Sequence, residues 1–261
     1  MVPSAISRCS PHALTVECPD YHACDHGIQG AFFRGASVRC PGDDAPWYAS
    51  RVRIVVCDVG LGNLRSVERA LREASRERGA LVEVTRDPAG VRAADKLVMP
   101  GQSAFGDYAR ALSGDLGQAV REHLRSGRPY LGICMGLQVL FEASEEAPGC
   151  PGLGVLEGSV VKLKAGIDPA TGTPRKVPHV GWNEADATGN RALLPPGAPL
   201  HFYFVHSFVV APRDERVIAA TTEYGERFVS AIAFENVFAC QFHPEKSQRA
   251  GLALLERFVA S

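Results

Sequence analysis

The chain has 261 residues, a formal net charge of −1 and a hydrophobic fraction of 46%. Near-balanced charge argues against an electrostatic nucleic-acid binder, and no apolar run approaches the length of a membrane span. The length suits one large domain or two small ones.

Residues 1–50 differ from the remainder. They scatter Cys9, Cys18, Cys24 and Cys40 with His12, His22 and His26 among Pro, Gly and Ser, with no helical or alternating period. Cys18, Cys24 and His26 invite a metal reading, but the paired Cys-x-x-Cys spacing is missing and no metal is expected. There is no basic stretch followed by an apolar core, so a signal peptide is not expected. The expectation is a disordered N-terminal extension, or translated sequence upstream of the natural start, with one domain over 51–261. Cys57, Cys134 and Cys240 fall in or beside apolar strand-like runs, as reduced thiols of a cytoplasmic protein do.

Val52 to Cys57 is a compact β-branched run that predicts the first strand of a parallel sheet. The Asp58 to Asn63 turn follows, with Asn63 as N-cap of a helix carrying Leu64, Val67, Leu71 and Ala74 on one face. Its glycines do not make a dinucleotide fingerprint, because Arg65 stands where the third glycine belongs. A turn that packs the helix close to the sheet is the better reading. Leu81 to Thr85 and Lys96 to Met99 predict further strands. The second leads into Pro100-Gly101-Gln102-Ser103, a loop whose backbone N–H groups can face a ligand. Asp115 to Ser126 predicts a helix with Leu116, Val120 and Leu124 on one side.

Arg128 to Gln138 starts as an apolar run, meets Gly132-x-Cys134-x-Gly136, and continues through Leu137, Leu140 and Phe141 at helical spacing. A strand that turns abruptly into a helix with a nucleophile at the corner is a nucleophile elbow. Glycines relieve the crowding there, and the helix N-terminus favours thiolate over thiol. Taken alone, Cys134 reads equally as a buried structural cysteine.

After Glu145 the texture becomes β-rich. Short strands are expected at Val160 to Leu163, Leu200 to Val210, Val217 to Thr222, Phe228 to Phe234 and Val237 to Phe242, with a closing helix over Gln248 to Val259. Trp182 sits in a turn-rich strip and could be core. His179, His201 and His206 lack metal-ligand spacing and read as structural or interfacial. His243 follows the last strand at the sheet edge where ligands bind. Pro244 stops that strand, and Glu245, two residues on, can point the same way from an extended segment. Cys134 as nucleophile, His243 as base and Glu245 as the group that orients the imidazole form a triad. The predicted architecture is α/β: an open, mixed, largely parallel sheet with flanking helices, and a smaller β-rich half packed on it.

Gly132-Ile133-Cys134-Met135-Gly136-Leu137-Gln138 together with Gln241-Phe242-His243-Pro244-Glu245-Lys246-Ser247 resembles the class I glutamine amidotransferases. Within that family, the strips Lys176 to Asn183 and Phe202 to Phe208 are similar to the glutaminase subunits that serve histidine biosynthesis. The resemblance begins near Arg51. It implies that glutamine is hydrolysed to glutamate and ammonia, without a cofactor. It further implies a heterodimer with a separate cyclase subunit, a (β/α)₈ barrel, which uses the ammonia to make imidazole glycerol phosphate and aminoimidazole carboxamide ribotide. By the same resemblance, the N–H groups of Gln102 and Met135 form the oxyanion hole. Gly101, Gln138, Ser207 and Phe208 hold the glutamine, and Trp182, Tyr203 and Lys246 lie at the cyclase interface. Two departures stand out: Val59 replaces the usual tyrosine, and Ser103 replaces the second glycine of the usual Pro-Gly-x-Gly, which hinders any flip of that loop. The alternatives are a glutaminase subunit feeding another class I pathway, an independent cysteine peptidase or γ-glutamyl hydrolase, and a non-catalytic protein that kept the fold.

Overall fold

Strands that are apolar at every position, rather than at alternate ones, need cover on both faces. β1 (Arg53–Cys57) meets that description, since Ile54 to Cys57 are all fully buried. The structure, a computed structural model, describes residues 51–261 except 169–170, 189–192, 196 and 198. The proposed extension and the Cys18, Cys24 and His26 cluster therefore lie outside the described residues.

β1 pairs in parallel with β2 (Leu81–Thr85) and with β3 (Lys96–Gly101). β3 pairs in parallel with β4 (Tyr130–Cys134), and β4 with β12 (Val237–Cys240). From β12 the sheet turns antiparallel, through β11 (Arg227–Phe234), β10 (Ile218–Glu223), β7 (His179–Ala187) and β8 (Leu200–His206). A side branch of β5 (Phe141–Ser144), β6 (Leu156–Lys162) and β9 (Phe208–Pro212) joins β11 at Val229. The β-rich half thus continues the same sheet instead of packing on it as a separate layer.

Period 2 along the strands sorts the core onto two faces. Ile54, Val56, Val98, Leu131 and Ile133 meet α1 (Leu64–Ala74) and α6 (Gln248–Ala260) through Val67, Leu71, Leu254, Leu255 and Phe258. Val55, Cys57, Leu97, Met99 and Tyr130 face the other way. There they meet α2 (Pro88–Arg92), α3 (Phe105–Ala111) and α4 (Asp115–Arg125) through Val91, Phe105, Tyr108, Val120 and Leu124. Asn63 caps α1 as expected, its side chain accepting from the Ser66 N–H.

Three local expectations are corrected. The helix after Cys134, α5 (Met135–Gln138), lasts one turn. The carbonyls of Val139 and Leu140 instead accept from Leu153, Val155 and Leu156, and Phe141 begins a strand. The run from Leu200 to Val210 is two strands broken at Ser207, because β8 pairs with β7 whereas β9 pairs with β6. The strip around Trp182 is a strand, β7, with Trp182 opposite Tyr203. The turn at Asp58 to Asn63 packs against the loop after β3: a Cβ on Gly62 would lie 3.4 Å from the Gln102 backbone nitrogen.

Candidate active site

The carboxyl ends of the adjacent strands β3, β4 and β12 bring together three segments far apart in sequence. Cys134 ends β4 at φ 53° and ψ −101°, a strained conformation for a residue with a Cβ. Neighbouring glycines permit it. A Cβ on Gly132 would lie 2.4 Å from the Gly136 carbonyl oxygen, and one on Gly136 only 1.8 Å from that of Met99. Chain compression at the corner therefore sets both glycines. The one-turn α5 is too short to lend the sulfur much helix dipole, so its electrostatic setting comes from side chains.

His243 follows β12, and its backbone is fixed from two directions. Its N–H donates to the Tyr203 carbonyl at 2.9 Å, and its carbonyl accepts from the Ser247 hydroxyl at 2.6 Å. The same hydroxyl accepts from the Tyr203 N–H at 2.9 Å, tying β8 to the segment after β12. Pro244–Lys246 is a 3₁₀ turn, not the extended segment expected, and it folds Glu245 back onto the imidazole. His243 Nδ1 lies 2.9 Å from Glu245 Oε1. Both side chains are almost wholly buried, and Glu245 Oε2 has no hydrogen-bond partner among the described residues.

With Nδ1 turned to the carboxylate, Nε2 is the nitrogen left for the Cys134 sulfur. Burial opposes charge on His243, but hydrogen bonds to Cys134 and to Glu245, with the charge on both, outweigh it and raise the imidazole to about 9. The buried Cys57 and Cys240 are different. Burial first, and Asp58 second, push Cys57 up to about 12. Burial, then Glu245 and Cys134, push Cys240 well up. Both stay thiols, which among the described residues leaves Cys134 as the buried cysteine with an imidazole beside it.

The sulfur opens onto a cavity of about 490 Å³, within the range of small-molecule sites. Gln102, Met135, Gln138, Ser207 and Phe208 line it, with Tyr203 and Lys246 also on its wall. Gly101 stands opposite Cys134 in register, where any Cβ would fall 2.4 Å from the Tyr108 ring. Trp182 is not among the lining residues. It lies on the outer face of β7, 47% exposed beside Val180 at 55%, with its ring edge-on to Tyr203 at 6.2 Å. The core reading of Trp182 is thereby excluded. His179 and His206 are a buried hydrogen-bonded pair, Nδ1 to Nε2 at 3.0 Å, while His201 is exposed. Among the described residues no group of His, Cys, Asp or Glu could hold a metal ion.

Three polar residues escaped the sequence reading. Gln241 is buried and donates to the Cys134 sulfur at 3.5 Å. Ser247 makes the bridge just described. Among the described residues Glu146 is the one carboxylate lining the cavity, and it accepts from the Phe105 N–H. A glutamine between Cys240 and Phe242 in a wholly apolar strand had to find partners, which was the available signal for Gln241. Nothing in the sequence pointed to Glu146.

The family model for glutamine amidotransferase class-I matches residues 56–261. A relative from Aromatoleum aromaticum, the imidazole glycerol phosphate synthase subunit HisH, is 46% identical over 213 residues, covering 79% of this chain and 97% of its own. The HisH subunit from Aquifex aeolicus is 46% identical over 209 residues, covering 79% and 96%. Among solved structures, PurLQS from Thermotoga maritima superposes with a TM-score of 0.61 at 17% identity, over 81% of this chain and 99% of that one. A glutamine amidotransferase from Thermotoga maritima gives 0.52 at 19% identity, over 81% and 100%. At such identities the structural matches speak for the fold alone.

Proposed function

The chain belongs to the class-I glutamine amidotransferases and, within them, to the family of the HisH subunits of imidazole glycerol phosphate synthase; on that premise we propose that residues 51–261 form a glutaminase domain with Cys134, His243 and Glu245 as its triad. The observation that carries the reading is the row of thiol, imidazole and buried carboxylate, with the thiol end opening onto the cavity. The Cys134 thiolate attacks the side-chain amide carbon of glutamine. The N–H groups of Gln102 and Met135 take the oxyanion, each worth about 3 kcal/mol in such sites. The imidazolium of His243 passes its proton to the departing nitrogen, and ammonia leaves a γ-glutamyl thioester. Water, deprotonated by His243, attacks the thioester carbonyl, and glutamate departs as the thiol re-forms. Glu245 fixes the Nδ1–H tautomer throughout.

Gly101, Gln138, Ser207 and Phe208 hold the substrate. The unpartnered Gln138 Oε1 supplies an acceptor, and Glu146 supplies a negative charge for the α-ammonium group. The exposed Val180 and Trp182, with Tyr203 and Lys246 at the cavity wall, form the face for a separate cyclase subunit with a (β/α)₈ barrel, as a heterodimer. Lys246 Nζ sits 5.8 Å over the Tyr203 ring, which links the two halves of that face. The barrel receives the ammonia and forms imidazole glycerol phosphate and the aminoimidazole carboxamide ribotide. A cytoplasmic location suits a chain whose described cysteines are all free thiols.

The test is glutamate release from glutamine, measured with and without the cyclase and its ribulosyl phosphate ligand. Turnover is expected to rise on their addition and to vanish in Cys134→Ala. Equal turnover with and without the cyclase overturns the coupling, and turnover surviving in Cys134→Ala overturns the triad.

A further inference from the structure

Beyond the triad lies a buried row of two amides, Gln138 and Gln241, of which the reaction scheme uses only Gln138. Gln138 Nε2 lies 3.1 Å from the Phe208 carbonyl oxygen and 3.0 Å from Gln241 Oε1. Gln241 Nε2 in turn lies 3.5 Å from Cys134 Sγ, an ordinary separation for a donor on sulfur. Gln241 is 0% exposed, and its backbone N–H is held by the Ser230 carbonyl at 2.9 Å, so the side chain has little freedom.

The donor and acceptor inventory allows the row only one polarity. The Gln138 amide has two hydrogens, and the Phe208 carbonyl and Gln241 Oε1 take both. Reversing Gln138 sets its oxygen against two other oxygens. Reversing Gln241 sets its NH₂ against that of Gln138 and its oxygen against the sulfur. In the arrangement present, the one atom left over is Gln138 Oε1, which is buried and without a partner among the described residues, on a residue that lines the cavity. Such a group carries a desolvation cost until a ligand donates to it.

We propose that Gln241 is a positioning residue for the reaction: its NH₂ holds the Cys134 sulfur, and its carbonyl, by accepting from Gln138, turns the acceptor end of Gln138 toward the substrate. This rests on the glutaminase reading above. The charge on a thiolate strengthens a donor contact, so the amide favours the reactive form of the sulfur. Other ionisable groups act on the same sulfur. His243 pairs with it, Glu245 stands behind His243, Cys240 and Tyr108 flank it, and Glu146 and Lys246 share the cavity. None of these supplies the fixed, neutral donor that Gln241 does.

Two substitutions separate the two roles. Gln241→Glu keeps an acceptor for Gln138 but cannot donate to sulfur; Gln241→Met removes both. Iodoacetamide labelling of Cys134 in the full chain, followed peptide by peptide against pH, needs neither glutamine nor a cyclase. The half-maximal pH is expected to rise by about one unit in Gln241→Met and further in Gln241→Glu, whose charge opposes the thiolate. In the complex with the cyclase, Gln241→Glu is expected to keep KM for glutamine within about threefold while kcat falls at least about tenfold, whereas Gln241→Met raises KM as well. An unchanged labelling profile in Gln241→Met overturns the donor role. An equal rise of KM in both variants overturns the orienting role. Should either variant fail to fold, Gln138→Met carries the test: it frees the Gln241 carbonyl, so the labelling profile shifts upward although Gln138 does not touch the sulfur, and an unshifted profile overturns the proposal. If the unsubstituted chain with its cyclase releases no glutamate, the glutaminase reading fails while the labelling result still decides the donor role.

Discussion

Removing the imidazole of His243 strands the carboxylate of Glu245. The Glu245 side chain is 2% exposed, Oε1 has His243 Nδ1 at 2.9 Å, and Oε2 has no partner among the described residues. Breaking a buried pair by deleting one member costs about 3–5 kcal/mol, because the other charge is left uncompensated. His243→Ala is therefore expected to lose that much stability at pH 7, measured by urea unfolding. The loss has a pH signature: the imidazole sits at about 9 in the folded chain against about 6.5 unfolded, so its contribution is full below pH 6.5 and fades as pH rises toward 9, and the gap between the two chains narrows over that window. In His243→Ala/Glu245→Gln the charge is gone while the cavity left by the ring is the same. The double variant is expected to recover about 2 kcal/mol of the single variant's loss at pH 7. A single-variant loss below about 1 kcal/mol, or a double variant no more stable than the single, refutes the claim that the pair is electrically closed on itself.

Gly136→Ala brings a Cβ to 1.8 Å from the Met99 carbonyl oxygen. Overpacking of about 1–3 kcal/mol or more outweighs the helix propensity gain of about 1 kcal/mol. Its urea midpoint is expected to fall, and an unchanged midpoint would reveal slack between β3 and the elbow. His206 is held down to about 3 by burial and by His179, and His123 to about 4 by burial. Both stay neutral in the folded chain, so their contribution is present above pH 6.5 and is lost as pH falls toward 4, at about 1.4 kcal/mol per pH unit each. Replacing His123 with Asn should reduce the slope of stability against pH by that amount, and an unaltered slope contradicts the assignment. Trp182→Ala removes a ring that is 47% exposed, so the melting temperature of the isolated chain should barely move. Cyclase binding should weaken about 30-fold or more if the ring is an interface anchor; unaltered affinity puts the interface elsewhere.

The elbow and the imidazole–carboxylate pair were legible in the sequence because they rest on short-range constraints. Gly132 and Gly136 flank Cys134 since a corner that tight leaves no room for a Cβ, and such a demand is met within five residues. Apolar runs such as Ile54 to Cys57 announce a sheet covered on both faces for an equally local reason. The end of α5 was not legible. Leu140 and Phe141 continue a helical spacing, yet distant backbone from Leu153 to Leu156 takes the carbonyls and draws the chain into β5. The break at Ser207 likewise depends on β7 and β6 competing for one stretch of chain.

What the sequence determined by itself, then, is the chemistry on offer: a thiol at a strained corner, and an imidazole and a carboxylate two residues apart. Tertiary structure alone decided how those groups are held. The 3₁₀ turn folds Glu245 onto His243, Ser247 and Tyr203 lock the segment that carries them, and Gln138 and Gln241 meet across 103 residues of chain. Side-chain hydrogen bonds between distant segments leave no period in the sequence, because each needs only one polar residue at one place.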